Sequence, residues 1–272
     1  MSLINKAHDI INKVLVDIDD KKRKSCLNEA FSKLDTRIDF GNFIEGESNK
    51  LARKVGLSIV DNISKNIYNP FFVYGQSGCG KSHLINAIGL KFLQSNPNKR
   101  VLYVNASQFQ RLFVDSVCQN TTNDFIDEYQ SADVLIVDDV QEWMKSPKTL
   151  ETFIKIFNHL IRTDKQIIIA SDRPPVALKG IKKSVLARFT SGSTVEIENP
   201  DEQLCIDIAK AKIRQVKLKI PAEVIRYIAK STEGNVFELE GVINSLKAYS
   251  AIGNTVDISL AKRIIMRYKK TN

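Results

Sequence analysis

The sequence predicts an α/β fold: a parallel sheet covered by helices, followed by a small all-α unit. Three observations carry this expectation. Short apolar runs of strand length alternate with helix-length stripes from about residue 70. A glycine-rich phosphate-loop pattern follows the first of those runs. After Pro200 the strand-like runs stop and only helical stripes remain.

Residues 1–38 contain no glycine or proline and show helical periodicity at Ile4, Ile10, Ile11, Val14 and Leu15, which predicts a helical arm or linker. The basic run Lys21–Lys24 reads as a solvated face of that arm. Strands are predicted at Phe71–Tyr74, Val101–Asn105, Val134–Asp138, Ile167–Ser171 and Thr194–Ile197, with helices between them. One such helix is Thr149–Ile161, where Phe153, Ile156, Phe157 and Leu160 form a single stripe. Strand–helix alternation makes the sheet parallel and puts a ligand at the carboxyl ends of its strands. Beyond Pro200, residues 201–216, 221–232, 235–251 and 257–269 read as helices punctuated by Pro221, Gly234-Asn235 and Gly253-Asn254.

At 272 residues the chain can bury a full α/β core and a small second domain, and a formal net charge of +9 favours a polyanionic partner. Nucleic acid is the first candidate and an acidic membrane surface the second. Cys26, Cys79, Cys118 and Cys205 form no C-x-x-C pair, and His8, His83 and His159 stand alone, so no zinc-ligand spacing exists. Reduced thiols and the absence of an N-terminal apolar h-region make the cytoplasm the expected location. No apolar run approaches the ~18 residues of a membrane span.

The motif G-x-x-x-x-G-K-[ST] is filled by Gly75, Gly80, Lys81 and Ser82, between the strand Phe71–Tyr74 and a helix starting at Lys81 with Leu84, Ile85, Ala87, Ile88 and Leu90 as its buried stripe. Glycines let backbone N–H groups curl around a triphosphate, and the helix N-terminus adds its positive dipole end. Gly75, Gly78, Cys79, Gly80, Lys81, Ser82 and His83 are therefore the expected nucleotide contacts. Lys81 would reach the β- and γ-phosphates, and the Ser82 hydroxyl would ligate Mg²⁺. Cys79 reads as a small residue that fits the loop. Downstream, the strand Val134–Asp138 ends in two acids: Asp138 is the expected metal-side carboxylate, and Asp139 is placed to orient or deprotonate an attacking water. The strand Ile167–Ser171 ends beside Asp172, which with Ser171 is a candidate to sense the terminal phosphate.

This order of phosphate loop, Asp-Asp strand, polar-tipped strand and helical lid resembles the AAA+ ATPases, and within them the bacterial replication initiator DnaA family. The similar segments are Phe40–Gly46 with Ser48–Ala52, Tyr68–Pro70, Val137–Gln141, Ala170–Arg173, and Asn235-Val236 with Glu238–Gly241; together the resemblance spans residues 40–270. It implies a three-layer P-loop core with a five-stranded parallel sheet over residues 39–199 and a lid over 200–272. It implies ATP and Mg²⁺ as cofactors, Phe43 and Ile44 in the adenine pocket, and Arg188 as an arginine finger acting on a neighbouring subunit. It also implies that Ala106–Ser131 forms the extra helices of initiators and loaders, and that Gln110, Lys148 and Thr149 meet single-stranded DNA.

Two departures qualify the resemblance. Phe237 stands where the family places a lid arginine, so ATP is expected to bind but to turn over slowly. The sequence ends at Asn272, just past the lid, so no readout of duplex boxes is expected from it. The leading expectation is an ATP-gated assembly factor in chromosomal replication initiation, partnered by itself or a full-length initiator and by single-stranded DNA. The alternatives are an Hda-like regulator that triggers hydrolysis by the initiator, and a helicase-loader adaptor whose partner is the replicative helicase.

Overall fold

The computed structural model describes residues 34–62 and 67–271. The arm predicted over residues 1–38, with its basic run, lies outside the described residues as far as residue 33. Residues 34–38 form a turn and not a helix: Ile38 N–H donates to the Asp35 carbonyl at 3.0 Å, and the Asp35 carboxylate accepts from the Arg37 N–H at 2.9 Å. An aspartate side chain that captures a nearby N–H offers the backbone an alternative to the helical ladder.

Five strands, β1 (Phe71–Tyr74), β2 (Val101–Asn105), β3 (Val134–Asp138), β4 (Gln166–Ser171) and β5 (Ser193–Glu196), pair in parallel in the order β2-β3-β4-β1-β5. Period-2 side-chain alternation sorts their residues onto two buried faces. Phe71, Val73, Val134, Ile136, Ile168 and Ala170 face helices α1 (Lys50–Asp61) and α2 (Lys81–Ser95). Phe72, Leu135, Val137, Ile167 and Ile169 face α3 (Ala106–Cys118), α4 (Thr122–Gln130) and α5 (Pro147–Arg162). The result is a three-layer α/β core, as expected.

Strand β4 begins one residue before its predicted start because Gln166 is only 1% exposed and its N–H donates to the Asp133 carbonyl at 3.1 Å. A polar residue that bonds the ladder is invisible to a count of apolar residues. Strand β5 likewise begins at Ser193, whose N–H donates to Pro70 O at 3.0 Å. Helix α1 was not among the predicted elements, although Ala52, Val55, Gly56, Ile59 and Val60 recur at helical spacing and all are buried.

The face toward α3 and α4 is filled by aromatic rings. Phe109 sits 4.9–5.1 Å from Phe125, Tyr129 and Trp143, and the Trp143 indole N–H donates to the Ala106 carbonyl at 2.8 Å. This packing pins both helices of the Ala106–Ser131 segment to the core. After the short helix α6 (Lys183–Phe189) and β5, four helices follow: α7 (Glu202–Gln215), α8 (Ala222–Ser231), α9 (Val236–Ala251) and α10 (Ile258–Thr271). They close around a separate cluster including Ile213, Ile228, Leu239, Ile243, Leu246 and Ile264. No helix among the described residues is long and apolar enough to cross a membrane.

Candidate functional site

The chain turns from β1 into α2 through the phosphate loop, at the carboxyl edge of the sheet. Gly75 admits no side chain, since a Cβ there would lie 2.1 Å from the Ile197 carbonyl oxygen. Gly78 adopts φ +84°, and a Cβ would also lie 2.4 Å from Asn235 Oδ1. Gly80 is the N-cap of α2 and offers no side-chain cap, and no acid sits in the first turn. The leading N–H groups of α2 are thus left for an external anion. Lys81 is 7% exposed and folds back so that Nζ donates to the carbonyls of Gly75 and Gln76, each at 2.9 Å. A buried ammonium held on two neutral carbonyls, without a carboxylate partner among the described residues, is poised for an anion to complete its shell.

Across from the loop, Asp138 is 2% exposed at the tip of β3. Its Oδ2 accepts from the Tyr103 hydroxyl at 2.9 Å and its Oδ1 from the Asp139 N–H at 3.0 Å. Burial pushes this carboxyl above the ordinary range, and a hydrogen bond from Ser82 opposes that shift. Burial, together with the charge of Asp138, also pushes the Tyr103 phenol upward, so it acts as a neutral donor. Serine and carboxylate oxygens side by side suit Mg²⁺, which takes one or two carboxylates plus substrate phosphates and waters rather than an all-protein cage. No cluster of three or more His, Cys, Asp or Glu side chains with metal-binding arrangement exists among the described residues.

Asp139 has left-handed backbone geometry, φ +59°, which turns its side chain sideways along the sheet edge. Both of its oxygens are engaged: Oδ2 by the Asn105 amide at 3.0 Å and Oδ1 by the Gln141 amide at 2.9 Å. Gln141 Oε1 in turn accepts from the Asp172 N–H at 3.1 Å, so one polar chain links the tips of β2, β3 and β4. The Asp172 carboxylate pairs in two-pronged fashion with Arg173, both contacts at 2.6 Å. That guanidinium holds the carboxyl below its usual range. Neither Asn105 nor Tyr103 was singled out from sequence. A signal for Asn105 did exist, since it ends a predicted strand level with the Asp-Asp pair, but neighbouring strand order is needed to use it.

Phe43 and His83 meet edge to face at 5.1 Å, beside Gly80. His83 Nε2 donates to the Asp39 carbonyl at 3.1 Å, and burial pushes the imidazole toward its neutral form. Ile44 is half-buried, and its carbonyl accepts from Asn49 Nδ2 at 2.9 Å. Cys79 is buried, its thiol pushed upward by desolvation. The lid reaches the loop through Val236 N–H to Gly78 O at 3.1 Å, and Asn199, just before the lid, donates from Nδ2 to Gln76 Oε1 at 2.9 Å. Phe237, one residue further along α9, is 79% exposed.

The remaining predicted residues make no hydrogen bond or ion pair with the loop among the described residues. Arg188 is exposed on α6, with no side-chain partner among the described residues. Gln110 accepts from Ser146 Oγ at 3.0 Å, which ties α3 to the start of α5. Lys148 is exposed there, whereas its neighbour Thr149 is 4% exposed on the packed side of α5.

A phosphate loop after β1, an acid-tipped β3, the sheet order β2-β3-β4-β1-β5 and a helical lid bonded to the loop define a P-loop nucleotide-binding protein of the AAA+ class. Residues 34–196 match the family described as the bacterial DnaA ATPase domain. The chain belongs to this family. It is 47% identical over 235 residues to the chromosomal replication initiator protein DnaA of Bacteroides fragilis, covering 86% of this chain and 49% of that one. The chain thus spans about half the length of the curated relatives it matches. Domain III of the Thermotoga maritima replication initiation protein DnaA superposes with a TM-score of 0.83 at 31% identity, covering 87% of this chain and 98% of that one. A replication initiator DnaA bound to AMPPCP and single-stranded DNA superposes at 0.73 with 38% identity, covering 79% of this chain and 66% of that one.

Proposed function

We propose that this chain is an ATP-binding replication initiator subunit that assembles on single-stranded DNA when ATP is bound. One observation carries the reading: Lys81 is buried against the Gly75 and Gln76 carbonyls, and its neighbour Ser82 hydrogen-bonds the buried carboxylate of Asp138. The family's solved relative holding AMPPCP and single-stranded DNA supports the choice of ligands. Residues 39–199 form the nucleotide-binding core in this reading and 200–272 the lid.

Gly75, Gly78, Cys79 and Gly80 shape the loop, Lys81 neutralises the β- and γ-phosphates, and Phe43, Ile44 and His83 flank the base. Ser82 and Asp138 hold Mg²⁺, which when bound offsets phosphate charge as a Lewis acid. Asp139 orients or deprotonates the attacking water once an oxygen is released from its amide partners, and Asp172 or Ser171 senses the terminal phosphate. Arg188 of one subunit completes the site of the next, which makes assembly depend on ATP. Gln110 and Lys148 line the strand path; the buried Thr149 supports that path through packing. The Hda-like regulator and helicase-loader readings are not favoured, because the relatives matched are initiators. The replicative helicase and acidic lipids remain partners to be tried separately.

The test is size-exclusion chromatography with ATP or ADP, each with and without single-stranded DNA. Assembly is expected with ATP and DNA together, and Lys81→Ala is expected to abolish it. The same monomeric profile in all four conditions would overturn the assembly mechanism.

A further inference from the structure

The carboxylate of Asp138 is gripped from three elements at once: Ser82 at the start of α2, the Asp139 N–H in the turn after β3, and the Tyr103 hydroxyl from β2. Two of these donors follow from any acid at a strand tip beside a phosphate loop. The third does not. Strands β2 and β3 pair with Tyr103 opposite Ile136 and Asn105 opposite Asp138. Tyr103 and Asn105 are two residues apart, so they share one face of β2. From that face Tyr103 reaches Asp138 while Asn105 reaches Asp139, so one strand holds both acids of its neighbour.

We propose that Tyr103 is a positioning residue for the metal-side carboxylate, its hydroxyl fixing Asp138 in the orientation that Ser82 also meets. The proposal rests on the Mg²⁺–ATP reading above. The ring of Tyr103 packs against the buried apolar layer that contains Ile136 and Val134, so the hydroxyl is delivered by a side chain with little freedom left to lose. Packing alone has no use for that hydroxyl. A phenylalanine would fill the same space without desolvating a polar group, and the Asp138 oxygen is the one recorded partner of this hydroxyl among the described residues. A neutral donor on one carboxylate oxygen also blocks rotation about the Cβ–Cγ bond and leaves the opposite side of the group to the metal. Groups that orient a metal-facing carboxylate in this way govern metal affinity more than nucleotide affinity.

The experiment compares the full chain with its Tyr103→Phe variant. Mn²⁺ binding is followed by electron paramagnetic resonance in saturating AMPPCP, and AMPPCP binding is measured separately in EDTA. Tyr103→Phe should weaken Mn²⁺ binding about tenfold and leave metal-free AMPPCP binding within about twofold of the parent. In an Asp138→Asn background the same substitution should have no further effect on Mn²⁺, because the orientation it controls is gone. Unchanged Mn²⁺ affinity in Tyr103→Phe overturns the proposal, as does an equal loss of metal-free nucleotide binding, which would assign the effect to packing. Failure of the unsubstituted chain to take up Mn²⁺ with AMPPCP overturns the Mg²⁺–ATP reading itself, and this proposal with it. That outcome is distinct from a variant that matches its parent.

Discussion

The Asn105 amide donates to Asp139 Oδ2 at 3.0 Å, joining the tip of β2 to the acid that follows β3. With Gln141 on the other oxygen, each oxygen of the carboxylate proposed to act on water accepts from a neutral amide. Each amide takes an acceptor site that a hydrogen of the attacking water would otherwise use. Asn105→Ala frees one oxygen. Basal ATP hydrolysis by the unassembled chain should rise about threefold, with nucleotide affinity unchanged, in a steady-state phosphate-release assay. A fall in rate would mean that the amide positions Asp139 for reaction rather than restraining it.

The lid carries the second prediction. Phe237 stands 79% exposed next to Val236, whose N–H bonds Gly78 of the loop. An exposed aromatic ring adds no charge where negative phosphates are expected, so turnover by the native chain should be slow. Phe237→Arg should raise turnover about tenfold by placing a cation near the developing charge. The mutation touches no buried group, so the thermal unfolding temperature should stay within about 2 °C of the parent. Unaltered turnover at full nucleotide saturation would detach this position from catalysis.

Acid stability tests the opposite edge of the sheet. Burial alone would raise the Asp133 carboxyl, but hydrogen bonds from Lys165, the Arg100 N–H and Lys99 outweigh it and bring the pKa down to about 2. Lys165 Nζ lies 2.8 Å and Lys99 Nζ 3.2 Å from Oδ1, and Arg100 N 2.9 Å from Oδ2. A folded-state pKa below the unfolded value of 3.8 stabilises the protein above about pH 4 and loses that contribution as pH falls toward about 2. The contribution is about 1–2 kcal/mol after discounting for the solvent reaching both lysines. Urea melts from pH 5 to pH 2 should therefore show a steeper loss in the parent than in Asp133→Asn. Parallel curves would show that the pair contributes nothing.

Lys148 offers a salt-dependent test. It is exposed at the start of α5, near the Gln110–Ser146 hydrogen bond. If it neutralises one phosphate, Lys148→Ala should weaken single-stranded DNA binding for all sequences alike. The slope of log affinity against log salt should shrink by about 0.7. Fluorescence anisotropy at several salt concentrations reads both quantities. A sequence-dependent loss would assign Lys148 a base contact instead.

Elements with a one-sided chemical signature were legible in the sequence. The boundaries of β1, β2 and β3 agree with their predictions residue for residue, because apolar runs between turn residues have no other soluble home. The start of α2 at Lys81 was equally clear, since the phosphate-loop pattern ends in Gly80-Lys81 and the glycine caps the helix at φ +104°. Helix α1 has buried residues at helical spacing, but its N-cap Asn49 makes no capping hydrogen bond and so gives the sequence no start signal. Gln166 hid the first residue of β4, as its burial follows from ladder pairing and not from its own polarity.

Local pattern determined that this chain would build a phosphate loop, an acidic strand tip and a helical lid, because each depends on residues adjacent in sequence. Which side chains from other strands hold those acids was decided only by tertiary structure. Tyr103 and Asn105 meet Asp138 and Asp139 because β2 lies beside β3 in register, although the residues are separated by 35 and 34 positions. The same holds for Gly78, whose neighbour Asn235 comes from the lid. Strand order and helix docking arise from burial summed over the whole core, and no window of the sequence contains that sum.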